Sequence, residues 1–264
     1  MRNALLALRL ATGILRLPTA HALATPPYGA QHGEAFTFKF SVGPVESGRA
    51  RMAVGRPTTK NGRRVVAVHG QAETAAWLKL LVKLDDDYQL LYDADSLLPV
   101  EVVSVERGLR ERKITSKIDG RRANVELVAT KNGGRASRYL PSAVRDPLSE
   151  LFALRAAPLT DGEHLEHDIL DGPALWRVRL EVKRGERVRL ESDGDGAKSH
   201  GAIRIDGELR RIDDLGRDVA GQAKRHVTAW LSDDRTRVLL RLEADTDLGR
   251  CALELTSYAP PPKR

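Results

Sequence analysis

Cysteine is almost missing from this sequence. Cys251 is the only one in 264 residues, so no disulfide can form within the chain. A domain of this length can bury roughly 70–75% of the surface its unfolded chain exposes. It needs no covalent staple, and the lack of one is neutral on redox compartment. In "RCALELTS" the thiol shares a strand face with Leu253 and Leu255, the pattern of a buried structural cysteine. Aromatic residues are also scarce, at 5% of the chain. That argues against a basic stripe interleaved with stacking rings, and so against a nucleic-acid partner. No run approaches the ~18 apolar residues of a membrane-spanning helix. A Gly-rich phosphate loop, a Gly-x-Ser-x-Gly elbow, a His-Glu-x-x-His pair and a Cys-x-x-Cys pair are all missing. The sequence points to no cofactor, no metal and no recognisable catalytic residue.

Acidic residues are absent before Glu34, and the first serine is Ser41. The opening "MRNALLALRLATGILRLPTAHALATPP" carries Arg2, Arg9 and Arg16 and two small-x-small sites, Ala20-His21-Ala22 and Ala22-Leu23-Ala24. This is the outline of a cleavable export leader over residues 1–24, with a linker over 25–32, and it predicts a periplasmic or otherwise exported protein. Arg9 and Arg16 interrupt its apolar region, whereas a good leader core holds about 7–15 apolar residues in one piece. A transit peptide shares the arginine-rich, acid-free character but is serine-rich, and a misassigned start codon is a third reading. The formal charge of the chain is +7, and the leader's three arginines leave +4 for residues 24–264. The remaining cations alternate with acids such as Glu181, Glu191 and Glu243, as on a solvated mixed-charge face.

What is present is alternation. With 41% hydrophobic and 30% charged residues the chain has the composition of a folded protein. "FTFKFSV" places Phe36, Phe38, Phe40 and Val42 on one strand face, and "ALWRVRLEVKRGERVRLES" places Trp176, Val178, Leu180 and Val182 on another. Similar segments recur from Arg63 to Leu140 and from Leu165 to Tyr258. Asn61-Gly62, Asp119-Gly120, Asn132-Gly133, Arg184-Gly185 and Asp206-Gly207 supply residues that tolerate positive φ and are expected to turn hairpins. Two stretches read as helix. "AETAAWLKLL", Ala72 to Leu81, suggests a short turn of helix holding Trp77. "RDPLSELFALRAA" is the stronger, with Asp146 to cap the free amides, Pro147 at the first helical position and an apolar stripe of Leu148, Leu151 and Phe152 over about 146–156.

Magnitudes then set the architecture. About thirteen strands at ~4.8 Å spacing and ~20 Å length present an apolar face of roughly 1,200 Å², whereas a ten-residue helix covers about 150 Å². The sheet must curl and bury its own inner surface. The expected fold is mainly β: a large curved antiparallel sheet forming a half-open barrel or barrel-like sandwich, with one short amphipathic helix as plug or lid between two runs of strands. It occupies residues 33–259 as a single β-rich domain, with a tail over 260–264. Whether side chains fill its interior or leave a pocket is open at this stage.

Candidate chemistry is sparse. His164 and His167 in "GEHLEHD" invite a metal reading, but their odd spacing puts them on opposite faces of a strand. Asp85, Asp86, Asp87, Asp93 and Asp95 lack the central glycine and closing glutamate of a calcium loop and read as solvated hairpin turns. Trp77, Trp176 and Trp230 are core by default and ligand-lining as the alternative.

The order of segments resembles the bacterial domain-of-unknown-function family 3108. "GEAFTFKFSVGPVESGRA" is similar to that family's Gly-Glu opening, with Gly33, Glu34, Phe36, Phe38, Gly43 and Gly48. "YQLLYDADSLLP" is similar to its tyrosine segment through Tyr88, Asp93, Leu97 and Pro99, although Leu90 and Tyr92 depart from the usual residues. "DPLSELFALRAAPLTDG" carries Asp146, Ser149, Phe152, Arg155, Pro158, Leu159 and Gly162, and a late segment carries Trp230, Asp233, Asp234, Arg237 and Gly249. The resemblance implies an exported, mainly antiparallel β protein with no established reaction and, by looser analogy, the half-barrel carriers of lipids and lipoproteins.

These readings combine into a non-enzymatic cell-envelope protein that holds a lipid, a lipoprotein acyl chain or another hydrophobic ligand on a concave sheet face. The expected site residues are Trp77, Trp176, Trp230, Phe152 and Arg155. Arg155, at the negative end of the helix dipole, is the candidate for an acidic head group, with a structural salt bridge to Asp146 or another acid as the competing role. The alternatives are an assembly factor binding an envelope protein through a sheet edge, and an enzyme acting on envelope glycan.

Overall fold

A computed structural model describes residues 29–75, 85–107, 111–120, 122–129, 133–192, 196–246 and 249–262. They form β1 (Ala35–Val42), β2 (Val45–Val54), β3 (Thr58–Lys60), β4 (Arg63–Thr74), β5 (Asp85–Asp93), β6 (Pro99–Glu106), β7 (Arg112–Asp119) and β8 (Arg122–Ala129). There follow β9 (Gly134–Tyr139), β10 (Val144–Arg145), the helix α1 (Pro147–Ala156), β11 (His164–Asp171), β12 (Ala174–Ser192), β13 (Gly196–Arg211), β14 (Arg225–Ser232), β15 (Leu239–Thr246) and β16 (Gly249–Ala259). All the strands belong to one sheet, whose order runs β10 to β16 in sequence, then β1, β2, β4 and on to β9, with β3 paired to β4. The neighbours are antiparallel except β10 and β11. The first strand thus pairs with the last and joins the two halves.

Among the described residues the path is not closed, since β9 bonds only to β8 and β10 only to β11. Side-chain parity shows how the sheet nevertheless buries itself. On β11 and β12, Ile169, Trp176, Val178, Leu180 and Val182 enter the main core. Leu170 and Leu175, on the other face of the same strands, pack with Ile114, Ile118, Ala123 and Val125 of β7 and β8. Ser116, between Ile114 and Ile118, is paired with Val102 of the main core, so this is the inner face of β7. One end of the sheet is therefore lapped over the outside of the other, and the curl is a roll rather than a hydrogen-bonded barrel.

Inside the roll lies α1. Asp146 caps it, accepting from the amides of Leu148 (3.0 Å) and Ser149 (3.3 Å), and Ser149 completes a capping box. Ser149, Glu150, Phe152, Leu154 and Arg155 are buried, and these point around the whole helix rather than along one stripe. Of plug and lid, α1 is a plug. The Phe152 ring stands 5.9 Å from that of Tyr92, on the opposite wall.

Several local expectations change. Ala72, Glu73 and Thr74 are strand residues of β4, because β2 and β5 pair with that segment from both sides. The rest of the expected helix, including Trp77, lies outside the described residues. Asp85, Asp86 and Asp87 are in β5, not in a turn. Asp87 lies 2.6 Å from His69, and Asp86 accepts the Arg107 amide. Arg184-Gly185 is a bulge within β12, where the register to β13 shifts between Lys183 and Glu186. Asp206-Gly207 sits in mid-strand. A Cβ at 207 would stand 2.6 Å from Val227 Cγ1 and 2.8 Å from Leu180 Cδ2, so this glycine serves a close approach between β12 and β14. Cys251 is half-buried, 3.3 Å from the Thr246 hydroxyl.

Candidate functional site

The expected site residues separate into three places. Phe152 is fully buried on α1. Arg155, 1% exposed on the same helix, has Glu34 rather than Asp146 as its partner, donating through Nη2 to Oε1 (2.7 Å) and through Nη1 to Oε2 (3.1 Å). Its Nε and Nη2 also donate to the Thr236 carbonyl, and its guanidinium lies over the rings of Phe36 and Phe152. Glu34 accepts in addition from the Tyr258 hydroxyl (2.7 Å) and the Gln31 amide (2.9 Å). Buried and engaged in this way, Arg155 offers nothing to a head group arriving from solvent.

The segments that carry the family resemblance meet around this helix. Glu34 immediately precedes β1, and Tyr88 of β5 donates to Asp146 (3.0 Å). From the loop before β15, Arg237 donates to the carbonyls of Ala157 and Pro158. Asp234 holds that loop by accepting from the Thr236 and Arg237 amides and the Ser232 hydroxyl. Burial pushes the Asp234 carboxyl up, but these hydrogen bonds outweigh it and hold the group below its ordinary range. Glu34, Tyr88, Asp234 and Arg237 are thus latches that fix the plug.

Trp230 lies on the outer face. Its cross-strand neighbours are Arg204 and Arg241, whose guanidinium carbons stand 5.8 and 5.7 Å from its ring centroid. The far end of the β12–β13 hairpin covers it through Val188, Leu190 and Ala202. His164 and His167 take opposite faces of β11: His164 pairs with Glu181, and His167 Nδ1 points inward, 2.7 Å from Glu150 Oε1 of α1. Among the described residues no group of acids, histidines and cysteine gathers at metal-binding distance.

Trp176 is different. It faces inward at the end of β12, 9% exposed, beside a pocket of about 720 Å³ at the open end of the roll. Two cations lie over its ring, Arg211 at 5.4 Å and Arg225 at 5.0 Å. Arg138, Arg217, Asp213, Asp214, Leu215 and Val219 also line the mouth. Leu215 is 71% exposed and Val219 37%, two apolar side chains beside the arginines. The loop carrying them is well fixed. Asp213 accepts from the Leu215 and Arg217 amides, the Val219 amide donates to the Arg211 carbonyl, and Arg177 Nη1 donates to that of Gly216. Burial, together with the charges of Arg138 and Arg225, holds the Arg211 pKa below its ordinary value.

Sequence reasoning found Trp176 but not Arg138, Arg211, Arg225, Leu215 or Val219. The missing signal is register. Arg211 stands directly opposite Trp176 because β12 and β13 form one long hairpin joined beyond Ser192. Turns placed at Arg184-Gly185 and Asp206-Gly207 break that ladder and conceal the pairing.

Solved structures are similar to this chain at low identity, and the first of them, with a TM-score above 0.5, shares the fold. A β-barrel-like protein of domain of unknown function DUF1849 from Brucella abortus is similar at a TM-score of 0.51 and 10% identity, covering 85% of this chain and 96% of its own. A protein of Bacteroides fragilis described as exported, with a YmcC-like fold, gives a TM-score of 0.38 and 8% identity over 89% of this chain and 99% of its own. A protein of Parabacteroides distasonis described as a lipoprotein gives 0.36 and 6% over 89% and 98%. None of the curated proteins matches the sequence. Among the described residues no helix is long and apolar enough to cross a membrane. Residues 36–256 match the family described as protein of unknown function DUF3108, and the chain belongs to that family.

Proposed function

We propose that this chain is a non-enzymatic cell-envelope protein, exported behind residues 1–24, whose domain over residues 33–259 binds a hydrophobic or amphiphilic ligand at the open end of the roll. The observation that carries this reading is the mouth beside Trp176. The inner face around α1 is taken up by the helix's own side chains, whereas the mouth combines a large aromatic ring, exposed Leu215 and Val219, and a volume in the range of small-molecule sites, roughly 300–1,000 Å³. Ligand entry at the mouth leaves the latched helix in place.

Mass spectrometry of the natural product tests it, since one measurement reports the mature N-terminus and any co-purifying molecule. A bound lipid or other amphiphile is expected, released by solvent extraction. An extract without one, together with no saturable binding of a hydrophobic fluorescent probe, removes the reading. A second reading, an assembly factor, is favoured by β9. Among the described residues this edge strand bonds on one side only, is exposed along most of its length and presents Tyr139 at 60% exposure. A pull-down that returns one stoichiometric envelope protein, lost when Ala136→Pro blocks the edge, selects it instead.

A further inference from the structure

We propose that the mouth is an anion site, in which Arg211 and Arg225, held against Trp176, bind a phosphate-bearing group. This rests on the reading that a ligand occupies the open end, and it names that ligand's chemistry.

The lining holds four arginines and two aspartates. Both aspartates are already committed to other arginines. Asp214 pairs with Arg138, and Asp213 pairs with Arg217 at 2.7 Å. Arg211 makes no hydrogen bond or ion pair with a carboxylate among the described residues. Asp171 attracts it only from a distance, while Arg138 and Arg225 repel it. A half-buried guanidinium crowded by like charges is unfavourable in the empty protein. An arriving anion relieves that repulsion and takes up fork-shaped donors suited to charge-assisted hydrogen bonds.

Arg211 contrasts with Arg155 and Arg237, whose donors are satisfied internally by Glu34 and three main-chain carbonyls. Two guanidiniums over one ring suit a group with several acceptor oxygens and a charge between one and two. A single carboxylate is saturated by one bidentate arginine. Phosphate fits better.

Calorimetric titration of the purified full chain compares inorganic phosphate, a short-chain phosphatidylglycerol below its micelle concentration, and an uncharged alkyl glucoside. Both phosphate probes are expected to bind at one site, and Arg211→Gln with Arg225→Gln to weaken them at least tenfold. Arg179→Gln, on the outer face beside Glu166, should change them less than twofold. Lipid binding tighter than that of inorganic phosphate by tenfold or more identifies the head group of an amphiphile. Equal binding identifies a soluble phosphorylated molecule. Failure of both phosphate probes on the wild-type protein overturns the anion site, whether or not the double variant folds, as does undiminished binding by a folded double variant. In either case saturable binding of the glucoside leaves the broader ligand reading standing, and its failure as well removes both.

Discussion

Two groups of arginines sit at different depths of the roll, and they obey opposite rules. Around α1, Arg155 is 1% exposed and faces Glu34, itself 1% exposed, across two hydrogen bonds. At the mouth, Arg211 leans on Trp176 and faces other cations. The first arrangement stabilises the fold only as a complete set, because a buried charge is tolerable when every partner is in place. The second sets like charges side by side over one ring, and such arrangements concentrate where a protein meets something else. Residue type alone does not separate a latch from an arginine left among cations; the company it keeps does.

The largest effect that can break this comparison is at Glu34. Glu34→Gln leaves the Arg155 guanidinium buried without its counter-charge, which costs about 3–5 kcal/mol. It also weakens the acceptor used by Tyr258 and Gln31. Urea unfolding should show a correspondingly lower midpoint. The paired replacement Glu34→Met with Arg155→Met should recover part of the loss, since apolar side chains of similar volume often replace buried ion pairs without penalty. A Glu34→Gln protein as stable as wild type would mean that the latch contributes nothing.

A middle-sized effect belongs to the wall between the two regions. Gly207 lies in mid-strand with Val227 Cγ1 and Leu180 Cδ2 closing over it. Gly207→Ala is expected to cost about 1–3 kcal/mol through overpacking. The same change at Gly62, whose positive φ closes the β3–β4 turn with nothing near its Cα substituent position, acts through backbone strain alone. Comparing the two separates packing from conformation, and equal losses would show that Gly207 is not there for the close approach.

These glycines also show how far the sequence could be read. The alternation of Trp176, Val178, Leu180 and Val182 stated the strand and its inner face, and Asp146-Pro147 stated where α1 begins, because both signals are local and follow from side-chain period and cap chemistry. The need for a curled sheet followed from area. The lapped closure did not, because Leu170 and Leu175 look like ordinary outer-face positions until the other end of the sheet arrives. The bulge at Gly185 and the packing glycine at 207 carry the composition of turns, and only the cross-strand partners reveal otherwise. Arg155 looked like a ligand residue for the same reason. Glu34, its partner, lies 121 positions away, and pairing at that separation leaves no local trace.

The smallest effect is the sharpest test of the contrast, and it concerns Arg211. Replacing it with glutamine removes a cation contact with Trp176 worth about 0.5–1 kcal/mol at a partly exposed site. It also removes the repulsion from Arg138 and Arg225. The two terms oppose each other, so the unfolding midpoint should stay within about 0.5 kcal/mol of wild type, the range of ordinary surface substitutions. Salt gives the sign of the residual. Raising ionic strength from 0.15 M, where the Debye length is about 8 Å, towards 1 M, where it is about 3 Å, brings it below the spacing of such neighbours and screens the crowded guanidiniums. The wild type should therefore gain more from added chloride than Arg211→Gln does. A loss above about 2 kcal/mol, insensitive to salt, would make Arg211 a latch of the same kind as Arg155, and the mouth would then be one more internally satisfied corner of the roll.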